Sequence, residues 1–117
     1  MKYAILIYEN EERWAKMTPD EFGPAMAEYM AYGQGMIDAG VMRGGEELHP
    51  TRMATTVRVR NGKMQTTDGP FAETKEQLGG FYLVETESLD EALAWAAKCP
   101  GASTGCVEVR PIVKHDG

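Results

Sequence analysis

The chain predicts an α+β fold: ferredoxin-like βαβ units with an extra hairpin, paired into a dimeric α+β barrel. Three observations carry this expectation. The elements run β-α-β, hairpin, β-α-β, and right-handed crossovers then place both long helices on one face of a mainly antiparallel sheet. Residues 3–8 and 81–84 are apolar on both strand faces, yet two helices cover only one. The uncovered face therefore needs a partner. A second copy is the economical one, because most oligomers are two-fold homodimers.

At 117 residues the chain reads as a single domain over 1–117, within the usual domain size of roughly 100–150 residues. Residues 2–8 are almost continuously apolar and suit a central strand buried on both faces. Residues 9–14 read as a loop or short turn. Thr18 then caps a helix, with Pro19 at its first position and Glu21 closing a capping box. Gly23-Pro24 is expected to end or kink that first turn, so that the main helix runs over 24–39. Met26, Tyr29, Met30, Gly33, Met36 and Ile37 share a helical stripe, read as packing. Gly40 stops the helix.

Residues 41–48 form a weaker strand, loosened by Gly44-Gly45. Residues 54–60 alternate, with Thr55, Val57 and Val59 against Thr56, Arg58 and Arg60. Asn61-Gly62 is a two-residue hairpin turn, and residues 63–67 return as the partner strand. A strand follows over 80–86. Ser88 and Glu91 then open a helix carrying Leu89, Ala92, Leu93, Ala96 and Ala97, which Cys99-Pro100-Gly101 ends. The last strand covers 106–112, and the tail 114–117 is expected to be loose.

Charge and composition exclude several function classes. The formal net charge is −6, and nucleic-acid binding needs phosphate-neutralising cations, so no nucleic-acid partner is expected. Arg58, Arg60 and Lys63 read as the polar face of the hairpin. No apolar stretch approaches the roughly 20 residues of a membrane span. The apolar start is short, runs into Glu9, Asn10, Glu11 and Glu12, and lacks a small-residue cleavage site; the expected location is cytoplasmic. Two cysteines, Cys99 and Cys106, make no disulfide scaffold and no Cys-x-x-Cys. They are expected as free thiols, Cys99 lying near a helix C-terminus that does not favour a thiolate. Two separated histidines make no zinc site. Glu9, Glu11 and Glu12 lack the spaced ligands of a calcium loop and read as a solvated acidic loop. No dinucleotide or phosphate-binding loop or nucleophile elbow occurs. The expectation is no metal and no cofactor.

The candidate site lies in the run from Thr66 to Glu85. Asp68 is expected to accept a hydrogen bond from the backbone two residues on. Gly69 supplies positive φ, Pro70 a fixed φ, and Phe71 an apolar anchor against the core. Glu73, Lys75 and Glu76 crowd behind that turn, and a carboxylate–ammonium–carboxylate cluster can orient a polar ligand or move a proton. The expected catalytic residues are Asp68, Glu73 and Lys75. The expected ligand-binding residues are Tyr8 for its hydroxyl, Arg43 and Arg58 for an anion, His49 as base or ligand, and Phe71.

Asp68-Gly69-Pro70-Phe71, Gly79-Gly80-Phe81-Tyr82, Glu28-Tyr29-Met30, Ala54-Thr55-Thr56-Val57-Arg58, Leu89-Asp90-Glu91-Ala92 and Val107-Glu108-Val109-Arg110-Pro111 occur in this order across nearly the whole chain. The set resembles the DGPF branch of the YCII-related (YciI-like) family. That resemblance implies a dimeric α+β barrel, frequent linkage to extracytoplasmic-function sigma factors, and, in the wider superfamily, acid–base chemistry by a His–Asp pair. This chain departs from the pair. No histidine falls between Met1 and Leu48, and the loop that would hold the aspartate reads Cys99-Pro100-Gly101-Ala102-Ser103. Two readings of function stand. One is a small-molecule-binding protein, as a cofactor-independent acid–base enzyme of isomerase or lyase type acting in the dimer cleft. The alternative is a non-catalytic regulatory or interaction module linked to a sigma factor.

Overall fold

Strand β1, Lys2–Glu9, is the centre of the structure, a computed structural model describing residues 1–115. Its alternation is strict. Tyr3, Ile5, Ile7 and Glu9 are buried on one side, and Ala4, Leu6 and Tyr8 are half-buried on the other. After it come α1 (Glu11–Ala15), α2 (Pro19–Asp38), β2 (Met42–Glu47), β3 (Thr55–Arg60), β4 (Lys63–Asp68), β5 (Gln77–Glu85), α3 (Leu89–Lys98), α4 (Gly101–Thr104) and β6 (Cys106–Pro111). The sheet order is β2-β5-β1-β6, with antiparallel pairing throughout. This is the ferredoxin-like arrangement expected from the element order. β3 and β4 form a separate two-stranded sheet, the extra hairpin.

The core lies between one sheet face and the helices. Ile5, Met36 and Val84 are its largest fully buried side chains, joined by Tyr3, Ile7, Tyr32, Val41, Ala92 and Ala96. α2 runs unbroken through Pro24, against the expected break. Pro24 stands in the second turn, so its missing N–H removes one bond from the exposed Asp20 carbonyl, which water can satisfy. The Thr18–Glu21 capping box forms as expected. The buried residues of α2 are Tyr32 and Met36, with Tyr29 half-buried beside them, whereas Met30 and Ile37 are exposed. The tyrosines decide the rotation: Tyr32 donates to the Trp95 carbonyl at 2.8 Å and stacks edge-on against Tyr82.

The open sheet face carries Ala4, Leu6 and Tyr8 of β1 beside Leu83, Phe81 and Leu78 of β5, and Arg110, Glu108 and Cys106 of β6. No described helix is long and apolar enough to cross a membrane. Of the tail, the first two residues are described and lack regular structure, while Asp116 and Gly117 lie outside the described residues.

Candidate functional site

One end of the sheet gathers most of the polar chemistry. There β1 ends at Tyr8-Glu9, β5 begins at Gln77, β6 begins at Cys106, and α1 and α4 close over the top. Strand alternation sends the two neighbours Tyr8 and Glu9 to opposite faces.

Glu9 points to the helix side and is 7% exposed. Its carboxylate accepts four hydrogen bonds. One oxygen takes the Tyr29 hydroxyl at 2.5 Å. The other takes Thr104 Oγ1 at 2.8 Å, Trp14 Nε1 at 3.1 Å and Arg13 Nη1 at 3.3 Å. The donors come from α1, α2 and α4, so the carboxylate ties three helices to the sheet. Burying a carboxylate is costly unless it is hydrogen-bonded in this way. Beside it, Glu9, Trp14, Glu28, Tyr29 and Pro100 help line a cavity of about 30 Å³, the room of one water molecule. The expectation of a solvated acidic loop at residues 9, 11 and 12 is therefore corrected for two of the three. Glu9 is buried as the last residue of β1, and Glu11 is bonded to Thr51 through the backbone N–H, at 3.1 Å, and through the hydroxyl. Asn10 caps α1, which replaces the expected loop.

Burial, reinforced by the Glu9 hydrogen bond, holds the Tyr29 phenol well above its ordinary range. Burial likewise raises Tyr32 and Tyr82. Tyr29 thus remains a donor to Glu9 throughout the neutral range. Because these folded values exceed the ordinary tyrosine value of about 10, the stability they contribute is complete below that pH and is lost as pH climbs toward the folded values. An alkaline titration followed by phenolate absorbance is expected to ionise fewer than the five tyrosines before unfolding, with the remainder released on unfolding. Five tyrosines ionising together near pH 10 would contradict this.

On the open face, the Tyr8 hydroxyl donates to Glu108 at 3.4 Å, Arg110 pairs with Glu108 at 2.7 Å, and the Cys106 thiol donates to Glu76 at 3.3 Å. The Arg110 guanidinium lowers Glu108, and the Glu76 hydrogen bond raises the Cys106 thiol. Both cysteines are free, and burial raises Cys99.

The other predicted residues spread over the molecule. Asp68 ends β4, and it does not make the expected bond to the backbone two residues on, because that residue is Pro70 and has no N–H. The turn is closed instead by Gly69 N–H donating to the Ala54 carbonyl at 2.7 Å and Thr56 Oγ1 donating to the Gly69 carbonyl at 2.9 Å. Phe71 is 81% exposed rather than an anchor in the core. Glu73 and Lys75 are exposed, and no ion pair among the described residues joins them. Glu76, directly behind them, reaches Cys106 and links the signature loop to the sheet end that holds Tyr8. Arg43 lies at the opposite end of the sheet, paired with Glu85 at 3.2 Å and donating to the Gly40 and Met42 carbonyls. His49 is exposed in the loop after β2, and Arg58 lies on the hairpin. Among the described residues no group of three His, Cys, Asp or Glu side chains is gathered for a metal.

The YCII-related domain matches residues 1–116. The chain belongs to the YCII-related domain family. An uncharacterised protein of Rhizobium meliloti (strain 1021) is 42% identical over 117 residues, spanning 98% of this chain and 94% of its own. Among solved structures, 5-chloro-2-hydroxyhydroquinone dehydrochlorinase (TftG) from Burkholderia phenoliruptrix AC1100, in complex with 2,5-dihydroxybenzoquinone, superposes with a TM-score of 0.52 at 18% identity, over 99% of this chain and 96% of that one. The likeness extends to the fold: this YCII-related chain and that enzyme share one α+β layout. Glu9 itself was hidden in the sequence because a carboxylate at the end of an apolar strand looks like the first residue of a loop. The period of β1 was the available signal, since it places residue 9 on the same side as Ile5 and Ile7.

Proposed function

We propose that this YCII-related protein binds a small, partly apolar molecule at the Glu9 end of the sheet and moves protons on it without a cofactor, as an isomerase or lyase. The observation that carries the proposal is the buried Glu9 carboxylate bonded to the half-buried Tyr29 beside a water-sized cavity. A carboxylate held among four donors, next to a phenol kept protonated by burial, is a proton store with defined geometry. Tyr29 lies on the first long helix and the Glu9 donor Thr104 after the second, the two places where the wider superfamily is described as using a His–Asp pair, while Glu9 itself ends β1. Access follows from α1, whose Arg13 and Trp14 are the outer donors; displacement of this short helix opens the carboxylate to a ligand. In this reading the protein is a two-fold homodimer through the open sheet face. Asp68, Glu73 and Lys75 of the signature loop supply polar groups at the cleft rim, with His49, Arg58 and Phe71 as ligand contacts, while Tyr8 lies on the sheet face away from Glu9, where the partner packs. The Asp68-Gly69-Pro70-Phe71 run supports placement in the DGPF branch. That a dehydrochlorinase of the same fold carries a ring compound makes cyclic enols and phenols the first compounds to try.

The test is a thermal-shift screen of such compounds, followed by incubation of each hit in heavy water with hydrogen–deuterium exchange on the compound read by NMR. A ligand at 100 times its dissociation constant stabilises by about 2.7 kcal/mol, a shift of several degrees in a domain of this size. Exchange should fall about 100-fold or more in Tyr29→Phe and in Asp68→Asn, the range of general acid–base effects. Undiminished exchange in Tyr29→Phe and Glu9→Gln would remove the pair from the chemistry.

A further inference from the structure

The signature loop, residues 68–77, lies outside the Glu9–Tyr29 pair, yet its hydrogen bonds lead there. Two chains of bonds leave it. In the first, the Gly69 N–H donates to the Ala54 carbonyl at 2.7 Å, and the Ala54 N–H donates to the Thr51 carbonyl at 2.9 Å, which closes the 3-10 turn Thr51–Met53. Thr51 in turn donates its backbone N–H, at 3.1 Å, and its hydroxyl to the Glu11 carboxylate. In the second, Gln77 Nε2 donates to the Thr74 carbonyl at 2.5 Å, while Gln77 Oε1 accepts the Glu11 backbone N–H at 3.0 Å. Both chains end on one residue, the first of α1.

α1 depends on ties of this kind. It has five residues, none of them buried, and so short a helix is not stable by itself in water. It meets the site through Arg13 and Trp14, whose bonds to Glu9, at 3.3 and 3.1 Å, are the two longest of the four. Trp14 also lies against Phe22 and Tyr29, with ring centroids 6.1 Å apart in each pair. We infer that Glu11 is a positioning residue through which the signature loop holds α1 closed over Glu9. The tip of the loop presents Phe71, Glu73 and Lys75 to solvent. A displacement there loosens Thr51 or Gln77, frees Glu11 and lets α1 lift, which uncovers the Glu9 carboxylate and the cavity beside it. That the helix is a gate rests on the function proposed for Glu9; the tie between loop and helix does not.

Amide hydrogen exchange of the unliganded protein, read by mass spectrometry, tests the tie, beside acrylamide quenching of Trp14 in a Trp95→Phe background. Thr51→Val removes the hydroxyl, and Gln77→Leu removes the side-chain acceptor. Gly69→Ala strains a turn residue at φ 98°, where a Cβ meets nothing within 4 Å, so its effect is on the backbone alone. Residues 11–16 should exchange about 10-fold faster in Thr51→Val, the effect of losing one hydrogen bond to a charged group on local opening. Gln77→Leu and Gly69→Ala should each give about 3-fold, although Gly69 reaches α1 through Ala54 and Thr51. Acrylamide should quench Trp14 more strongly in all three. Thr51→Ser, which keeps the hydroxyl, should behave as the wild type, and β1 and β5 should keep their protection throughout. Wild-type exchange of residues 11–16 in Thr51→Val and Gly69→Ala overturns the latch and leaves the Glu9–Tyr29 chemistry standing. A rise spread equally over β1 and β5 assigns these residues to general stability and overturns it too. Failure of the Glu9 chemistry shows instead in the isotope exchange of bound compounds, which neither readout uses.

Discussion

Glu9→Ala is expected to destabilise the fold by about 3–5 kcal/mol, the cost typical of removing one partner from a buried charged network. The reason lies in what remains. The Tyr29 hydroxyl, Trp14 Nε1 and Thr104 Oγ1 lose their common acceptor. Each buried donor left without a partner costs about 1–3 kcal/mol. Arg13, whose side chain is 43% exposed, turns to solvent and adds little. Glu9→Gln separates charge from hydrogen bonding. Its oxygen serves the three-donor side, and its amide faces Tyr29, whose hydroxyl reverses to accept. About 1–2 kcal/mol should go, and Tyr29→Phe should cost a similar amount. Urea unfolding at neutral pH measures all three. A Glu9→Ala variant within 1 kcal/mol of wild type would mean that water takes over the site. The carboxylate would then be an ordinary surface acid, and its assignment to chemistry would fail with it.

The fold was legible because its signals are periodic. Residues 2–8 read as a central strand, and β1 occupies that place. Thr18 with Glu21 marked the start of α2, and Asn61-Gly62 marked a turn in which both residues take positive φ. The errors have physical causes. Proline at residue 24 was weighted as a breaker, although in the second turn of a helix it removes a single bond at an end that water can satisfy. The stripe read on α2 holds at Met36 and Tyr29 and fails at Met30 and Ile37, and it omits Tyr32, which is buried because packing satisfies its ring and hydroxyl together. The site was less legible than the fold. Asp68, Glu73 and Lys75 stood out as a local cluster, which a sequence displays directly. Glu9, Tyr29 and Thr104 are separated by 20 and 75 residues along the chain, and only the return of β6 beside β1 brings them together. A constellation assembled by tertiary contact leaves no spacing to read.

Gly105→Ala should be the most damaging small substitution in the molecule. Gly105 caps the end of α4, one residue before β6, where that strand meets the end of β1. A Cβ there would sit 2.1 Å from the Tyr8 carbonyl oxygen, with Glu9 Cα at 3.0 Å and Glu9 Cγ at 3.1 Å. The nearest obstacle is backbone, so no rotamer change relieves it. Either β6 moves away, breaking the Tyr8–Cys106 pairing, or the β1 terminus moves and carries the Glu9 carboxylate off Thr104 and Tyr29. The cost should reach about 3 kcal/mol or more, the upper end of what overpacking produces. Gly79→Ala is the control. Gly79 lies in β5, yet a Cβ there meets nothing within 4 Å, so the change should be neutral or slightly stabilising through the unfolded chain. Urea unfolding of both variants, with hydrogen exchange resolving the strands, should show the loss in Gly105→Ala concentrated at the start of β6 and the end of β1. Because α4 and Glu9 meet through this contact, the variant should also lose the hydrogen-bond network whole, and Glu9→Ala added to Gly105→Ala should cost far less than it does alone. Additive costs in that pair would mean that the glycine serves strand pairing only, and that the carboxylate network holds its geometry without it.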